Sequence, residues 1–464
     1  MKLNLKKVAI GSGSLMWGDI IEPGLQMAKK ADVKYICYDW LAEVTMSILY
    51  MLKQRDINGG YPPKLIDWMC KILPITKERG IKVITNGGGA NVEGACEALR
   101  KALKEEGTRG LKIGSISGDD ITDKLDNLRN SGIKFTNIDT GEEDIDSIKE
   151  RVVGAYVYLG SEGIVECLKG QADIVVGGRL ADNALYVGPW MYEFGWDYSE
   201  EHWNKIGAAI TCGHVIECSC CCTGGMMCSF WDKVPEPWNI GYPIVELSEN
   251  GDAIITKTPD SGGLINSWTV KEHLLYELHD PKNYIMPDGI ADFTTLKLED
   301  AGKDRVKVTG MTGKKRPDML KVGIGYTDGW KQELQHWFCW PDALKKAKHC
   351  ENIMREWLKR QDLVVEKIHV DYMGFNMAHG SLVRVPDPAE VPDLPEVGLR
   401  ICAKFKTKKE AEFFREHAMI WSAPPAGYVF NTTTAPAKPV RIIKLWPTLV
   451  PRNIIQIKTK IVEV

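Results

Sequence analysis

The chain predicts an α/β protein: a mostly parallel, doubly wound N-terminal sheet, followed by a β-rich middle part and an α+β C-terminal part. Two observations carry that prediction. In the first 180 residues, four short apolar runs stop at glycine and lead into helix-like stretches. KKVAI runs into Gly11-Ser12-Gly13-Ser14, IKVIT into Asn86-Gly87-Gly88-Gly89-Ala90-Asn91, LKIGSI into Ser117-Gly118-Asp119-Asp120, and ADIVV into Gly177-Gly178-Arg179. After residue 240 the pattern changes to alternating strands around turn signals. Glycine at the end of a parallel strand lets the backbone approach a ligand, and the next helix offers free N–H groups to an anion. The same runs therefore predict a small-molecule site.

Strands are expected at 7–10, 34–38, 82–85, 112–116 and 173–176, and helices at 41–54, 63–78, 91–105, 143–152 and 161–169. SEGIVECLKG reads as a helix ending at Gly170, and QADIVVGGR as the buried strand after it. This alternation favours a parallel sheet with helices on both faces. A helix-like segment at 200–217 precedes a Cys/Gly-rich stretch. YPIVELSENGDAIITKT then reads as two strands around Glu249-Asn250-Gly251, because Asn-Gly favours tight hairpin turns. TLKLEDAGKDRVKVTGMTG repeats that style, with one helix near 269–278. An amphipathic helix at 342–360 leads to a strand at 364–371, a proline-rich loop (VRVPDPAEVPDLPEVG), a strand at 398–405 and a helix at 407–417. KPVRIIKLW and IIQIKTKIVEV read as terminal strands. The expected domains are 1–235, 236–340 and 341–464.

Composition narrows the function. The 464 residues are 44% hydrophobic and 26% charged, as in ordinary globular proteins. A net charge of -3 supplies no positive field for nucleic acid. No apolar run reaches the roughly 18–20 residues that span a bilayer. MKLNLKKVAIGSG reads as a first strand rather than a leader, so a cytoplasmic protein is expected. Thirteen cysteines lack the spacing of a disulfide framework, so reduced thiols are expected. Trp190, Trp196, Trp203, Trp231 and Trp238 suggest a thick core or a subunit contact, and a homo-oligomer is expected.

Each motif has a functional and a plainer reading. Gly11, Ser12 and Gly13 with Asp39 resemble a dinucleotide site, but Gly18 comes two positions later than the fingerprint requires. Asn86, Gly87, Gly88, Gly89 and Asn91 suit an anion-binding nest, against a tight crossover. Asp119 could act as an acid or a metal ligand, against charging a helix start. Gly178 and Arg179 could clamp a carboxylate, against an internal pair with Asp182. His214 and Glu217 share one helix face and suit an acid/base couple or two metal ligands, against a hydrogen-bonded core histidine. Thr223, Gly224 and Gly225 form a turn beside them. Cys218, Cys220, Cys221, Cys222 and Cys228 crowd together without a metal-ligand spacing. His379 in HVDYMGFNMAHG is a further proton carrier by type, and Pro424-Pro425-Ala426-Gly427 is a tight loop.

These segments together resemble a known family. The GSGS start, YDWLAEVTM, ITNGGGAN, SGDD, YLGSEGIVECLKGQADIVVGGRLADNAL, GHVIECSCCCTGG, IGYPIVEL, TKTPDSGGL, HDPKNY, ADFTTLKLE, VDYMGFNMAHG and LVPRNI are similar, in order, to the acyclic terpene utilisation family (AtuA-type proteins). The resemblance implies a catabolic enzyme for a branched or hydroxylated carboxylic acid or its acyl-CoA. It carries no catalytic residue across. Cys218 to Cys222 replace a milder run in the family, which weakens a cysteine mechanism. Longer members carry a small ferredoxin-like module, which a separate short subunit could supply here. The expected activity is that of a lyase, a hydratase or dehydratase, with the glycine loops holding the anion, His214 with Glu217 or Asp119 moving the proton, and Arg179 anchoring a carboxylate. A CoA thioester substrate and a divalent metal stay open. The alternatives are a nucleotide- or CoA-dependent oxidoreductase using the first loop and Asp39, and a non-catalytic subunit needing a small partner chain.

Overall fold

The glycine-ended apolar runs become the centre of one large sheet. The structure is a computed structural model that describes residues 5–143, 145–382, 393–418, 428–429 and 437–464. In chain order its first half holds β1 (Lys7–Ser14), α1 (Glu22–Lys30), β2 (Tyr35–Tyr38), α2 (Thr45–Arg55), α3 (Leu65–Glu78), β3 (Lys82–Thr85), α4 (Val92–Glu105) and β4 (Lys112–Ser117). Then come α5 (Leu125–Asn130), β5 (Val152–Val157), α6 (Glu162–Lys169), β6 (Ile174–Gly177), α7 (Ala184–Phe194) and α8 (Trp203–Glu217). Strands β1, β2, β3, β6 and β4 lie side by side in that order, all parallel.

Side-chain alternation along these strands sorts the helices onto two faces. In β2, Ile36 and Tyr38 pack into a core with Met27, Leu49, Leu73 and Leu99 of α1 to α4. Tyr35 and Cys37 point the other way, into a core with Ile164, Trp190 and Ile210 of α6 to α8. A doubly wound sheet is the result. Helix α8 is buried at every position from Ile206 to Glu217, so its polar residues stand inside the protein.

The middle of the chain extends this sheet with antiparallel strands. β7 (Pro243–Ser248) pairs with β1, β8 (Ala253–Lys257) pairs with β7, and the Asn250-Gly251 hairpin joins them. After α9 (Ser267–Leu274) come β9 (Tyr284–Met286), β10 (Gly289–Asp292), β11 (Lys297–Asp300), β12 (Val306–Thr309) and β13 (Thr312–Lys314). β11 and β12 add to the edge beyond β8, while β9, β10 and β13 form a separate three-stranded sheet.

β14 (Met319–Cys339) pairs with β5 through Val322 to Tyr326, and its later part, from Trp330, pairs with β16. α10 (Ala343–Leu358), β15 (Lys367–Met373), β16 (Glu396–Phe405) and α11 (Lys408–His417) follow. The short β17 (Tyr428–Val429), β18 (Val440–Pro451) and β19 (Lys458–Glu463) complete the chain, and β19 lies antiparallel against β4. Two compact units result: Met1–Tyr326 with Leu445–Val464, and Thr327–Lys444. In the second, Leu334, Phe338, Leu399, Ile401 and Phe405 pack against Cys350, Met354 and Phe414. A capping box between Thr407 and Glu410 starts α11.

One sequence expectation changes. Residues 143–152 hold two single turns, Ile145–Ser147 and Lys149–Arg151, instead of a helix. Ile145 and Ile148 are the buried core residues of these two turns, too short an apolar stripe to hold several turns. α1 and α7 are the helix-like stretches expected after the first and last of the glycine-ended runs. α7 contains Pro189 and Gly188, poor helix formers, yet every residue from Ala184 to Met191 is buried and packing decides. The loop at Pro424 to Gly427 and most of the proline-rich stretch fall outside the described residues.

Candidate functional site

Because β1, β2, β3, β6 and β4 are parallel, the residues that follow them gather along one edge of the sheet, where open α/β sheets place ligands. Asp39 follows β2, and its Oδ1 accepts hydrogen bonds from Asn86 Nδ2 (2.8 Å) and the Leu41 N–H (2.9 Å). Asn86, after β3, uses its Oδ1 to accept from the Trp40 N–H at 2.9 Å. Arg179, after β6, is 2% exposed. Its Nη1 donates to the Leu41 carbonyl at 2.7 Å, its Nη2 lies 2.9 Å from Asp182 Oδ1, and its guanidinium stacks over the Tyr158 ring at 4.3 Å. Its Nε has no partner. Asp119, after β4, accepts from the Arg179 N–H at 2.7 Å and supports the turn from behind.

Helix α8 supplies a second group of buried polar residues. His214 Nδ1 lies 3.3 Å from Glu217 Oε1 and 3.2 Å from the Tyr284 hydroxyl. The His214 ring also packs against the rings of His273, Tyr284 and Phe293. One turn later, Ser219 Oγ meets Ser12 Oγ of β1 at 2.5 Å, and Tyr186 OH donates to the same Ser12 Oγ at 3.1 Å.

Electrostatics couple the two groups. Burial, then the charge of Asp182, pushes Asp39 up to about 7, against the pull of Arg179 and Asn86. Burial, then the charges of Asp182 and Asp39, lifts Glu217 well above the usual range for a glutamate. Burial also raises Asp119 to about 6. Arg179 keeps its charge: burial opposes it most strongly, but Asp182, Tyr158, Asp39 and Tyr156 together outweigh that cost and hold its pKa above the ordinary value. His214 is driven down to about 3 by burial and by His273. The proton of the His214–Glu217 pair therefore resides on the glutamate at neutral pH. Glu217 Oε2, His214 Nε2 and both side-chain polar atoms of Asn183 are buried without partners. Such a concentration of unmet polar atoms marks a functional site more readily than a structural one. Asp182 carries the cluster towards solvent, with its side chain 37% exposed.

The glycine loops do different work from that expected. The N–H of Gly87 donates to Thr85 Oγ1, that of Gly88 to the Gly177 carbonyl, that of Gly89 to the Asn86 carbonyl and that of Ala90 to the Gly60 carbonyl. The expected nest is thus filled from within. A Cβ at position 88 would lie 2.7 Å from the Gly177 oxygen, so glycine is required for the close approach of β3 and β6. Asn91 caps α4 through the Gly94 N–H and donates to the Ile57 and Gly59 carbonyls. At Gly11 and Gly13 the missing Cβ space is taken by Met27 and Tyr38, and the Asp39 carboxylate holds Asn86 and Leu41. The dinucleotide reading therefore loses its supporting geometry. Gly178 is bare because Asp119 Oδ2 sits where its Cβ would be. Thr223, Gly224 and Gly225 form a turn closed on the Cys220 and Cys221 carbonyls.

Sequence reasoning missed the roles of Asn183, Tyr186, Ser219, His273 and Tyr284. Asn183 could have been found beside Asp182 in RLADN; Tyr284 arrives from 70 residues beyond His214 and left no local signal. His379 lies exposed in the second unit. Among the described residues, the one trio with metal-ligand spacing is Asp197, Glu201 and His202, away from this cluster in exposed or half-buried positions. The cysteines at 218–222 do not bring three sulfur atoms into such a set.

The model of the acyclic terpene utilisation family protein AtuA matches residues 8–461. The chain belongs to the AtuA family. No curated protein and no solved structure matches it. The AtuA match spans every element of the cluster, from β1 through α8 to Tyr284. Membership of the family suggests a part in acyclic terpene utilisation. Among the described residues, no helix is long and apolar enough to cross a membrane.

Proposed function

We propose that the protein is a catabolic lyase, a hydratase or dehydratase, acting on a branched or hydroxylated carboxylic acid or its acyl-CoA. One observation carries the reading. Two buried carboxyl groups beside one buried guanidinium are set to opposite tasks: Asp39 is poised near neutrality, and Glu217 holds its proton. Pairs of titratable groups driven to different protonation states are how acid/base enzymes divide their labour.

In dehydration, the Asp39 carboxylate takes the proton from the carbon next to the carbonyl. Glu217 gives its proton to the departing hydroxyl, and water leaves as the double bond forms. Arg179 faces the negative charge that develops on the carbonyl oxygen, with its unpartnered Nε as the donor. His214, held neutral, orients Glu217 through Nδ1. Asp119 positions the Arg179 backbone. The family resemblance also supports a small ferredoxin-like partner subunit, which co-purification from the native host reads; the exposed Trp231 and Trp238 support a homo-oligomer, which light scattering reads.

The test is turnover of a branched 3-hydroxyacyl-CoA and of the free hydroxy acid. Asp39→Asn and Glu217→Gln should each lower kcat by about 10²–10⁴-fold. Arg179→Gln should raise KM as well. Folded variants that keep full turnover would remove the assignment, and a chain inactive until a partner is added would favour the subunit reading.

A further inference from the structure

Cys218, Cys220, Cys221, Cys222 and Cys228 follow helix α8, and the reading above gives none of them a task. All five are free thiols, but their surroundings differ. Cys218 and Cys220 are half-buried, Cys221 is 8% exposed, Cys222 is enclosed and Cys228 is exposed.

The chain folds back on itself here. α8 ends at Glu217, and Ser219 takes a left-handed φ of 44°. The Cys221 N–H then donates to the Cys218 carbonyl at 3.1 Å. Such a bond closes a four-residue turn, whose end Cα atoms stand within about 7 Å. A disulfide spans Cα atoms about 4.4–6.8 Å apart, so the turn brings its two end cysteines into bridging range. The side chains agree, because the Cys221 thiol lies within hydrogen-bonding reach of the Cys218 thiol.

Cys221 also reaches the Cys220 thiol. Neighbours in sequence are only about 3.8 Å apart at Cα, closer than a disulfide prefers. The peptide around Cys220 has little room to distort. Its carbonyl accepts from the Thr223 N–H (3.0 Å), Thr223 Oγ1 (3.1 Å) and the Gly225 N–H (2.8 Å). Cys218 is therefore the better partner for Cys221.

We infer that Cys218 and Cys221 are a site of reversible oxidation, closing to a disulfide when the protein meets a low-molecular-weight disulfide. The Cys218 thiolate attacks one sulfur of the reagent, forms a mixed disulfide and expels one thiolate. The Cys221 thiolate then attacks Cys218 Sγ and expels the other. Two protein thiols are oxidised, and the reagent is reduced to two thiols that take up the two protons released. An added dithiol reverses the sequence.

The setting makes this exchange slow and its product durable. Cys221 favours the Cys218 thiolate, but burial outweighs it and holds the Cys218 thiol above its ordinary range. The Cys218 thiol and burial push Cys221 up to about 12, against the pull of Cys220. Thiolates that are not stabilised attack seldom, and they leave a formed bridge hard to reduce. Ser219 lies inside the ring, with its Oγ 2.5 Å from Ser12 Oγ, so closure pins the link between α8 and β1. The inference does not depend on the chemistry assigned to Asp39 and Glu217.

Prolonged treatment of the full chain with oxidised glutathione at about pH 8, where thiolate is more abundant, tests it. Remaining thiols are then blocked and the peptides read by tandem mass spectrometry. The 218–222 peptide should lose two hydrogens, with Cys220 and Cys222 blocked, and dithiothreitol should restore it. Cys220→Ser should keep the bridge. Cys221→Ser should instead trap Cys218 as the glutathione mixed disulfide. Cys228, exposed, reports that the reagent is active. Cys218 and Cys221 both left free while Cys228 is modified, a bridge between Cys220 and Cys221, or loss of the bridge in Cys220→Ser overturns the inference. Should Cys221→Ser fail to fold, the unsubstituted chain and Cys220→Ser decide.

Discussion

Arg179 and Asp182 form an ion pair of 2.9 Å in which the guanidinium is sealed from solvent and the carboxylate reaches it. The pair is three residues apart on one turn, yet its charge acts on Asp39 and Glu217 from other elements. Replacing Arg179 by Gln leaves those carboxyls facing one another uncompensated. Breaking a buried pair by removing one partner costs about 3 kcal/mol, at the low end here because Asp182 is partly solvated. Urea denaturation should read that loss, and the Asp39 carboxyl should titrate above its present value of about 7.

Asp39 links stability to pH. Its folded pKa is raised, so the folded state holds a proton that the unfolded chain releases near pH 4. The stabilisation is present below that pH and disappears as pH rises towards 7, with a slope of up to about 1.4 kcal/mol per pH unit. Asp119 adds a smaller loss ending near 6. His214 and His273, driven down to about 3 and about 4, act in the opposite sense: their contribution is lost as pH falls below about 6.5. Asp39→Asn should therefore flatten the decline between pH 4 and 7 in denaturation curves, and leave the acid limb unchanged.

Gly88→Ala should destabilise the protein by about 2 kcal/mol, because the new methyl meets a strand carbonyl that cannot swing aside. Gly18→Ala is the control. Its nearest neighbour would be the Met16 sulfur at 3.8 Å, and its melting temperature should stay unchanged.

Thiol alkylation should follow exposure. Cys228 is exposed, whereas Cys212 and Cys222 are fully enclosed and burial pushes both thiols up. Brief maleimide treatment of the native protein, followed by peptide mass spectrometry, should label Cys228 and spare the other two. Equal labelling would mean that the α8 region opens readily.

The parallel sheet was legible because its strands are short, β-branched and ended by glycine. Asp39, Asp119, Arg179 and the His214–Glu217 pair could be chosen for the same reason: each sits at a fixed offset from such a run or on one helix face. What stayed hidden depended on distant partners. The triple glycine reads as an anion nest until the Gly177 and Gly60 carbonyls are seen to fill it. The bounds of α7 were hidden because Gly188 and Pro189 lie inside it, and enclosure on all sides holds it as a helix. How His214 and Glu217 divide the proton was hidden because a ring's basicity depends on the neighbours that bury it, and His273 and Tyr284 come from later in the chain.

The pairing of β19 with β4 has a consequence for how the molecule is made. Ser115 and Lys460 are hydrogen-bonded, yet 345 residues separate them. At about 5–20 residues per second, tens of seconds of synthesis pass between the two. Throughout that interval the nascent sheet presents a raw margin of unmatched amides, a template that invites foreign strands. A chaperone that shields this margin during translation would raise the yield of native protein more than one acting after release.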